Sequence, residues 1–140
     1  MAALSRAKRE RLRFESFTLE EFPNGRCRIR LQLEWEEGVV CTGEAEGIQT
    51  MEGELRTAAL ATLQALRSAT GGSLTLSLIG VKAVRVFDTW VIIAAAHGKN
   101  DGEALRLTGS YTCEDDDVAR GAVLALMNAT NRVLGGLIDA

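Results

Sequence analysis

From Arg26 to Trp35 the chain alternates cleanly. Cys27, Ile29, Leu31, Leu33 and Trp35 point one way, and Arg26, Arg28, Arg30, Gln32 and Glu34 point the other. A period of two with one apolar side predicts a half-buried strand of an antiparallel sheet. Pro23-Asn24-Gly25 supplies the turn before it, because proline presets φ and Asn-Gly tolerates positive φ. Glu36-Glu37-Gly38 then turns the chain into a second strand over Val39–Glu46, with Val39, Cys41, Gly43 and Ala45 sharing a face. A flexible loop is expected over Gly47–Gly53. An alanine-rich helix follows over Leu55–Thr70, with the wide apolar arc of a helix lying on a sheet, and Gly71-Gly72 ends it.

The second half repeats the order. Leu74 to Phe87 alternates through Leu74, Leu76 and Leu78, then changes phase to Ile79, Val81 and Ala83 around Gly80, which predicts a β-bulge or a bend. Asp88-Thr89 is read as a turn, Trp90–Ala96 as a central apolar strand, and His97–Gly102 as a polar loop. Leu105, Leu107, Gly109, Tyr111 and Cys113 form another alternating strand. The acidic run Glu114–Asp117 opens a last helix from Val118 to about Leu134, with Gly135-Gly136 as its stop. Residues 1–13 carry no apolar stripe and read as an arm or short exposed helix. Phe14, Phe17, Leu19 and Phe22 would dock that arm on the body.

The halves also align with each other. Arg56-Thr57-Ala58-Ala59-Leu60-Ala61 matches Arg120-Gly121-Ala122-Val123-Leu124-Ala125 without gaps, on to Gly71-Gly72 opposite Gly135-Gly136, and Thr42-Gly43 matches Thr108-Gly109 upstream. Two copies of a strand–strand–helix unit make pseudo-symmetry and not a solenoid. The expected fold is α+β: one mainly antiparallel sheet of five or six strands, two helices on one face, and duplicated ββ(β)α units in a pseudo-twofold arrangement. The expected division is a basic arm and docking segment over 1–25, then a single domain over 26–140, with repeat units of about 26–72 and 73–136.

Composition narrows the class. No apolar run approaches the ~20 residues of a membrane span, and no long apolar stretch follows the basic start, so neither a membrane protein nor a secreted one is expected. Cys27, Cys41 and Cys113 are odd in number and widely spaced, which argues for the reducing cytoplasm and against a disulfide framework or a CxxC metal knuckle. The net charge of −3 is uneven, because Arg6, Lys8, Arg9, Arg11 and Arg13 oppose only Glu10 at the start of an otherwise acidic chain.

Candidate chemistry is sparse. His97 is the single histidine, which excludes a two-histidine metal site, and a catalytic role would need Asp88 or Asp101 as its partner. Clustered carboxylates at Glu114–Asp117 lack the alternation and glycine of a calcium loop and read as helix capping. The Gly98–Gly102 segment precedes a strand, so it cannot act as a phosphate-binding helix entry. The cysteines read as buried structural thiols. Arg6, Lys8, Arg9, Arg11 and Arg13, with the stripe Arg26, Arg28 and Arg30, could contact phosphates. Sheet-based RNA readers also need exposed aromatics, and Trp35 falls on the apolar side.

Thr108-Gly109, Asp117-Val118 and Ala129-Thr130-Asn131-Arg132-Val133-Leu134, set in two strand–helix units, resemble the C-terminal regulatory (dimerisation) domain of 2-isopropylmalate synthase. Ala45-Glu46-Gly47 lies where that family has a Gly-x-Gly-Pro-Val-Asp-Ala turn, with the Pro-Val-Asp missing here. The resemblance covers about residues 26–136, and the family's catalytic barrel of ~250 residues has no counterpart in these 140. It implies a homodimeric module whose loops cradle a small amino acid or related metabolite at Gly47, Gly109, Asp117 and Val118. The expected function is therefore noncatalytic small-molecule sensing and dimerisation, with no cofactor. A nucleic-acid-associated protein using the basic arm and arginine stripe is the alternative.

Overall fold

The alternating segments pair as the pattern requires, and they do so in two sheets. The structure is a computed structural model that describes residues 12–35 and 38–139, with side chains described as far as residue 133. Its elements are β1 (Leu12–Glu21), β2 (Arg26–Trp35), β3 (Val40–Ile48), α1 (Met51–Ala69), β4 (Leu74–Val86), β5 (Thr89–Asn100), β6 (Glu103–Cys113) and α2 (Val118–Asp139). β1-β2-β3 form one antiparallel three-stranded sheet and β4-β5-β6 another. The six strands thus form two sheets where the pattern predicted one. Alternation reports which face of a strand is buried and is silent on whether two hairpins share a ladder. Here α1 stands between β3 and β4 in the chain and packs on β3, β2 and β4, while α2 packs on β6, β5 and β1 and against α1.

β1 is the element the hydrophobic pattern did not announce. It pairs along β2 from Leu12↔Trp35 to Glu21↔Cys27, so the stretch read as an arm with a docking segment is an integral edge strand from Leu12 onward. Its alternation is broken at Glu15, where the register slips between Phe14 and Ser16. One extra residue moves every later side chain to the opposite parity. The same slip lies in β4 at Ile79, between Leu78 and Gly80, where the phase change pointed.

The loops are shorter than expected. Thr50 is the N-cap of α1, extended at φ −130° and ψ 166°, and its Oγ1 accepts the Gly53 N–H at 3.0 Å. The polar segment His97–Asn100 belongs to β5, and only Asp101-Gly102, at φ 51° and 85°, make the turn into β6. Gly98 serves close packing within the sheet, since a Cβ there would press on the Thr75 carbonyl carbon and the Leu76 Cα, each 2.9 Å away. At the start of α2, Asp117 Oδ1 accepts the Arg120 N–H at 3.2 Å, the capping expected of the acidic run. The helix then continues through Gly135-Gly136 to Asp139.

The core lies between the apolar sheet faces and the helices. Ile29, Leu31 and Leu33 from β2, Ile92, Ala94 and Ala96 from β5, Ala58, Ala61 and Ala65 from α1, and Ala122, Ala125 and Ala129 from α2 are sealed from solvent. Alanine dominates because the backbones approach closely. Gly43 of β3 has no room for a Cβ, which would meet the Ala61 carbonyl of α1 and sit 3.0 Å from the Ala65 Cβ. Gly109 of β6 stands in the same relation to α2, against the Ala125 carbonyl and 2.8 Å from the Ala129 Cβ. Buried hydroxyls within the helices are satisfied locally, with Thr62 and Thr130 donating to the carbonyls of Ala58 and Leu126 at 2.8 and 2.7 Å.

Candidate functional site

Of the four residues singled out for a ligand, the two glycines are taken up by packing of strand on helix. Gly47 of β3 faces α1, where a Cβ would collide with Thr57 Oγ1, and Gly109 faces α2. Both glycines allow strand and helix to approach. Val118 is buried, and Asp117 is engaged as a cap. A 350 Å³ cavity at the start of α2 contains Asp117, with Cys113, Asp115 and Arg120 nearby, and none of the other three.

The arginine stripe is arranged as expected on the outer face of β2, but each strand beside it answers with carboxylates. Arg28 lies 3.8, 3.4 and 3.2 Å from Glu20, Glu44 and Glu46, and Arg30 lies 3.6 Å from Glu44. Arg13 lies 3.8 Å from Glu34. The Glu46 hydrogen bond and charge hold Arg28 still more firmly protonated than a free guanidinium. Arg26 is exposed at the start of the strand. Arg6, Lys8, Arg9 and Arg11 lie outside the described residues.

The remaining reactive groups are quiet in their surroundings. His97 is exposed on β5 opposite Ser77 and Arg106, and no hydrogen bond links it to Asp88 or Asp101 among the described residues. All three cysteines are buried and free. Burial pushes the Cys41 and Cys113 thiols up, with Asp115 and Asp117 adding to the effect at Cys113, so both favour the unreactive protonated form. Among the described residues no three His, Cys, Asp or Glu side chains gather as a metal site, and no helix is long and apolar enough to cross a membrane.

One pocket was announced by no motif. It has a volume of about 710 Å³ and opens where the first turns of α1 meet the bulged strand β4. Met51 and Leu55 supply its helix side, Val81 and Ala83 its strand side, and Trp90 an aromatic wall. Arg85 of β4 sits over the Trp90 ring, its guanidinium carbon 5.1 Å from the centroid, which fixes the indole across the ladder. Glu52, Arg56 and Lys82 provide the polar groups, and neither cation meets a carboxylate within ion-pair distance among the described residues. Volume and lining match those of small-molecule sites, which are mostly apolar with a few polar groups that orient the ligand. The bulge at Ile79-Gly80 shapes its mouth. The phase change in β4 marked this bulge in the sequence, but nothing there marked α1 as its neighbour.

No model of a known protein family matches the chain, and no curated protein matches it in sequence.

Proposed function

We propose that the chain is a noncatalytic small-molecule-sensing and dimerisation module whose ligand lies in the pocket between α1 and β4. The observation that carries this reading is the pairing of an apolar cavity of about 710 Å³ with two cations, Arg56 and Lys82, that lack carboxylate partners among the described residues. Such a site suits a small molecule with an apolar body and a carboxylate, the class that includes amino acids and short keto acids. The reading agrees with the resemblance to the regulatory domain of 2-isopropylmalate synthase, while moving the ligand away from Gly47, Gly109, Asp117 and Val118. The arginine stripe does not favour the nucleic-acid alternative, because phosphates on β2 would have to displace Glu20, Glu44 and Glu46.

We also read the two halves as duplicated βββα units. Three correspondences support this. The bulges at Glu15 and Ile79 are separated by the same interval as Ala61 and Ala125. Gly43 meets α1 as Gly109 meets α2. Strand and helix exchange sizes at one contact, Gly47 against Thr57 in the first half and Cys113 against Gly121 in the second. The unit then includes β1, so it begins earlier than residue 26.

A thermal-shift panel of amino acids, short keto acids and nucleotides tests the function. A ligand at a hundredfold its dissociation constant adds about 2.7 kcal/mol, a shift of several degrees for a domain of this size. The expected result is a hit among the apolar carboxylates that is lost in Arg56→Glu and Lys82→Glu. A flat panel would overturn the sensing half of the reading.

A further inference from the structure

Phe87 is the most exposed of the large apolar side chains among the described residues, at 96% of its full accessibility. It forms the tip of the β4–β5 hairpin with Asp88, and both residues are left-handed, at φ 48° and 64°. Two-residue hairpin turns of this kind favour asparagine, aspartate and glycine, and a bulky aromatic there is strained. The ring therefore bears both a conformational cost and an exposure cost, and at that exposure its own chain provides little to offset them. Strain held at an exposed tip points to a contact made outside the chain.

The same molecule carries a receptor for it. The α1–β4 pocket is apolar, large enough for an aromatic ring, and walled by Trp90, three residues beyond Phe87. Exposed Ile79 and Ile93, which also line the pocket, extend the apolar surface at its mouth. Charge follows the same arrangement: Asp88 flanks the knob, and at the hole the two cations Arg56 and Lys82 outnumber the one carboxylate, Glu52. Because tip and pocket are neighbours on the hairpin, a twofold axis between two copies satisfies both contacts at once, the closed and self-complementary arrangement that most homodimers adopt.

We propose that Phe87 of one copy inserts into the α1–β4 pocket of a second copy of this chain, and reciprocally, in a twofold dimer. This rests on the dimerisation half of the function proposed above and names its interface. It also makes a small-molecule ligand and a partner's Phe87 competitors for one cavity.

Sedimentation velocity of the full chain over roughly 1–100 µM tests it. Two variants remove opposite halves of the contact: Phe87→Ser removes the knob, and Met51→Glu places a carboxylate at the mouth of the hole. Both sites are exposed, and circular dichroism checks that each variant folds. The wild type should dimerise, and each variant should weaken dimerisation by about 100-fold, as loss of a buried aromatic anchor does. The mixture should recover part of the affinity, because the knob of Met51→Glu finds the intact hole of Phe87→Ser. A dimer indifferent to both variants would overturn the interface and leave dimerisation standing. A wild type that stays monomeric throughout would overturn both, while the thermal-shift panel would still judge sensing separately. Should Phe87→Ser fail to fold, Phe87→Asn carries the same test with a residue suited to the turn.

Discussion

The two three-stranded sheets use the same interior and opposite exteriors. Inside, Gly43 and Gly109 each hold a helix at close range, and a bulge interrupts the first strand of each sheet, at Glu15 in β1 and at Ile79 in β4. Outside, the first sheet is a ladder of alternating charge, Arg28 and Arg30 interleaved with Glu20, Glu44 and Glu46. On the central strand of the second sheet the corresponding positions are Val91, Ile93 and Ala95, with Ser110 and Thr108 beside them on β6. Backbone proximity constrains the interior of both sheets. The outer faces are free to diverge, and the second one, apolar along its central strand with Lys82 beside Ile93 on β4, adjoins both the pocket and the Phe87 tip.

The interior correspondence can be broken most severely at its glycines. Gly43→Ala and Gly109→Ala each drive a Cβ into a helix carbonyl, a backbone group that cannot swing aside. Each should cost about 3 kcal/mol or more, the upper range for overpacking, measured as a lowered urea midpoint. Comparable losses at the two positions are expected if the halves are equivalent. A harmless substitution at either would show that its helix is free to shift outward.

The exchanged pair sharpens the comparison. Gly121→Thr brings a side chain against Cys113 Sγ and within 2.8 Å of Ile92 Cγ1, and should cost about 2–3 kcal/mol. Adding Cys113→Gly recreates the Gly47–Thr57 arrangement of the first half and should recover half or more of that loss. A double-mutant cycle reads the coupling directly, and additive losses would mean that the two contacts are not equivalent.

Phe87→Asn should act in the opposite direction on the monomer. Asparagine tolerates the left-handed conformation at the tip, so thermal stability at low concentration should rise by up to about 1 kcal/mol even as self-association falls. Stability lost together with association would show that the ring packs within its own chain.

Much of this fold is readable from side-chain alternation. β2, the β4 bulge and both helices follow from it because each has one buried face. β1 escaped because its bulge at Glu15 changes the parity midway, so Leu12 and Phe14 do not share a phase with Phe17 and Leu19. The division into two sheets depends on where α1 settles, which no local period records. The pocket was illegible for the same reason: Met51 and Trp90 meet only through tertiary packing. Gly47 and Gly109 stood out in the sequence for a true structural reason, close backbone approach, which is also what glycine supplies at many ligand sites.

The smallest expected effect tests how the helix entrances differ. α1 carries Glu52 and Glu54 in its first turn, while the carboxylates of α2 stand just before it, with Asp117 as its cap; the helix dipole favours both placements. At α1, however, Glu54 is half-buried, and its carboxyl is pushed above the usual range first by that burial and then by the charges of Glu21 and Asp117. A carboxyl that holds its proton more tightly when folded adds stability at low pH. That contribution is lost as pH rises past the ordinary carboxylate range and through the raised folded value, because the folded state must then bear a poorly solvated charge. Glu54→Gln should therefore stabilise the protein at pH 7.5 by no more than about 0.5 kcal/mol, since water and the helix dipole offset part of the cost. At pH 3.5, where the folded group already holds its proton, the advantage should vanish. Melting temperatures of both proteins at the two pH values provide the check. An advantage of equal size at both would assign it to packing or helix propensity and remove the crowding of Glu54 by Glu21 and Asp117 as its cause.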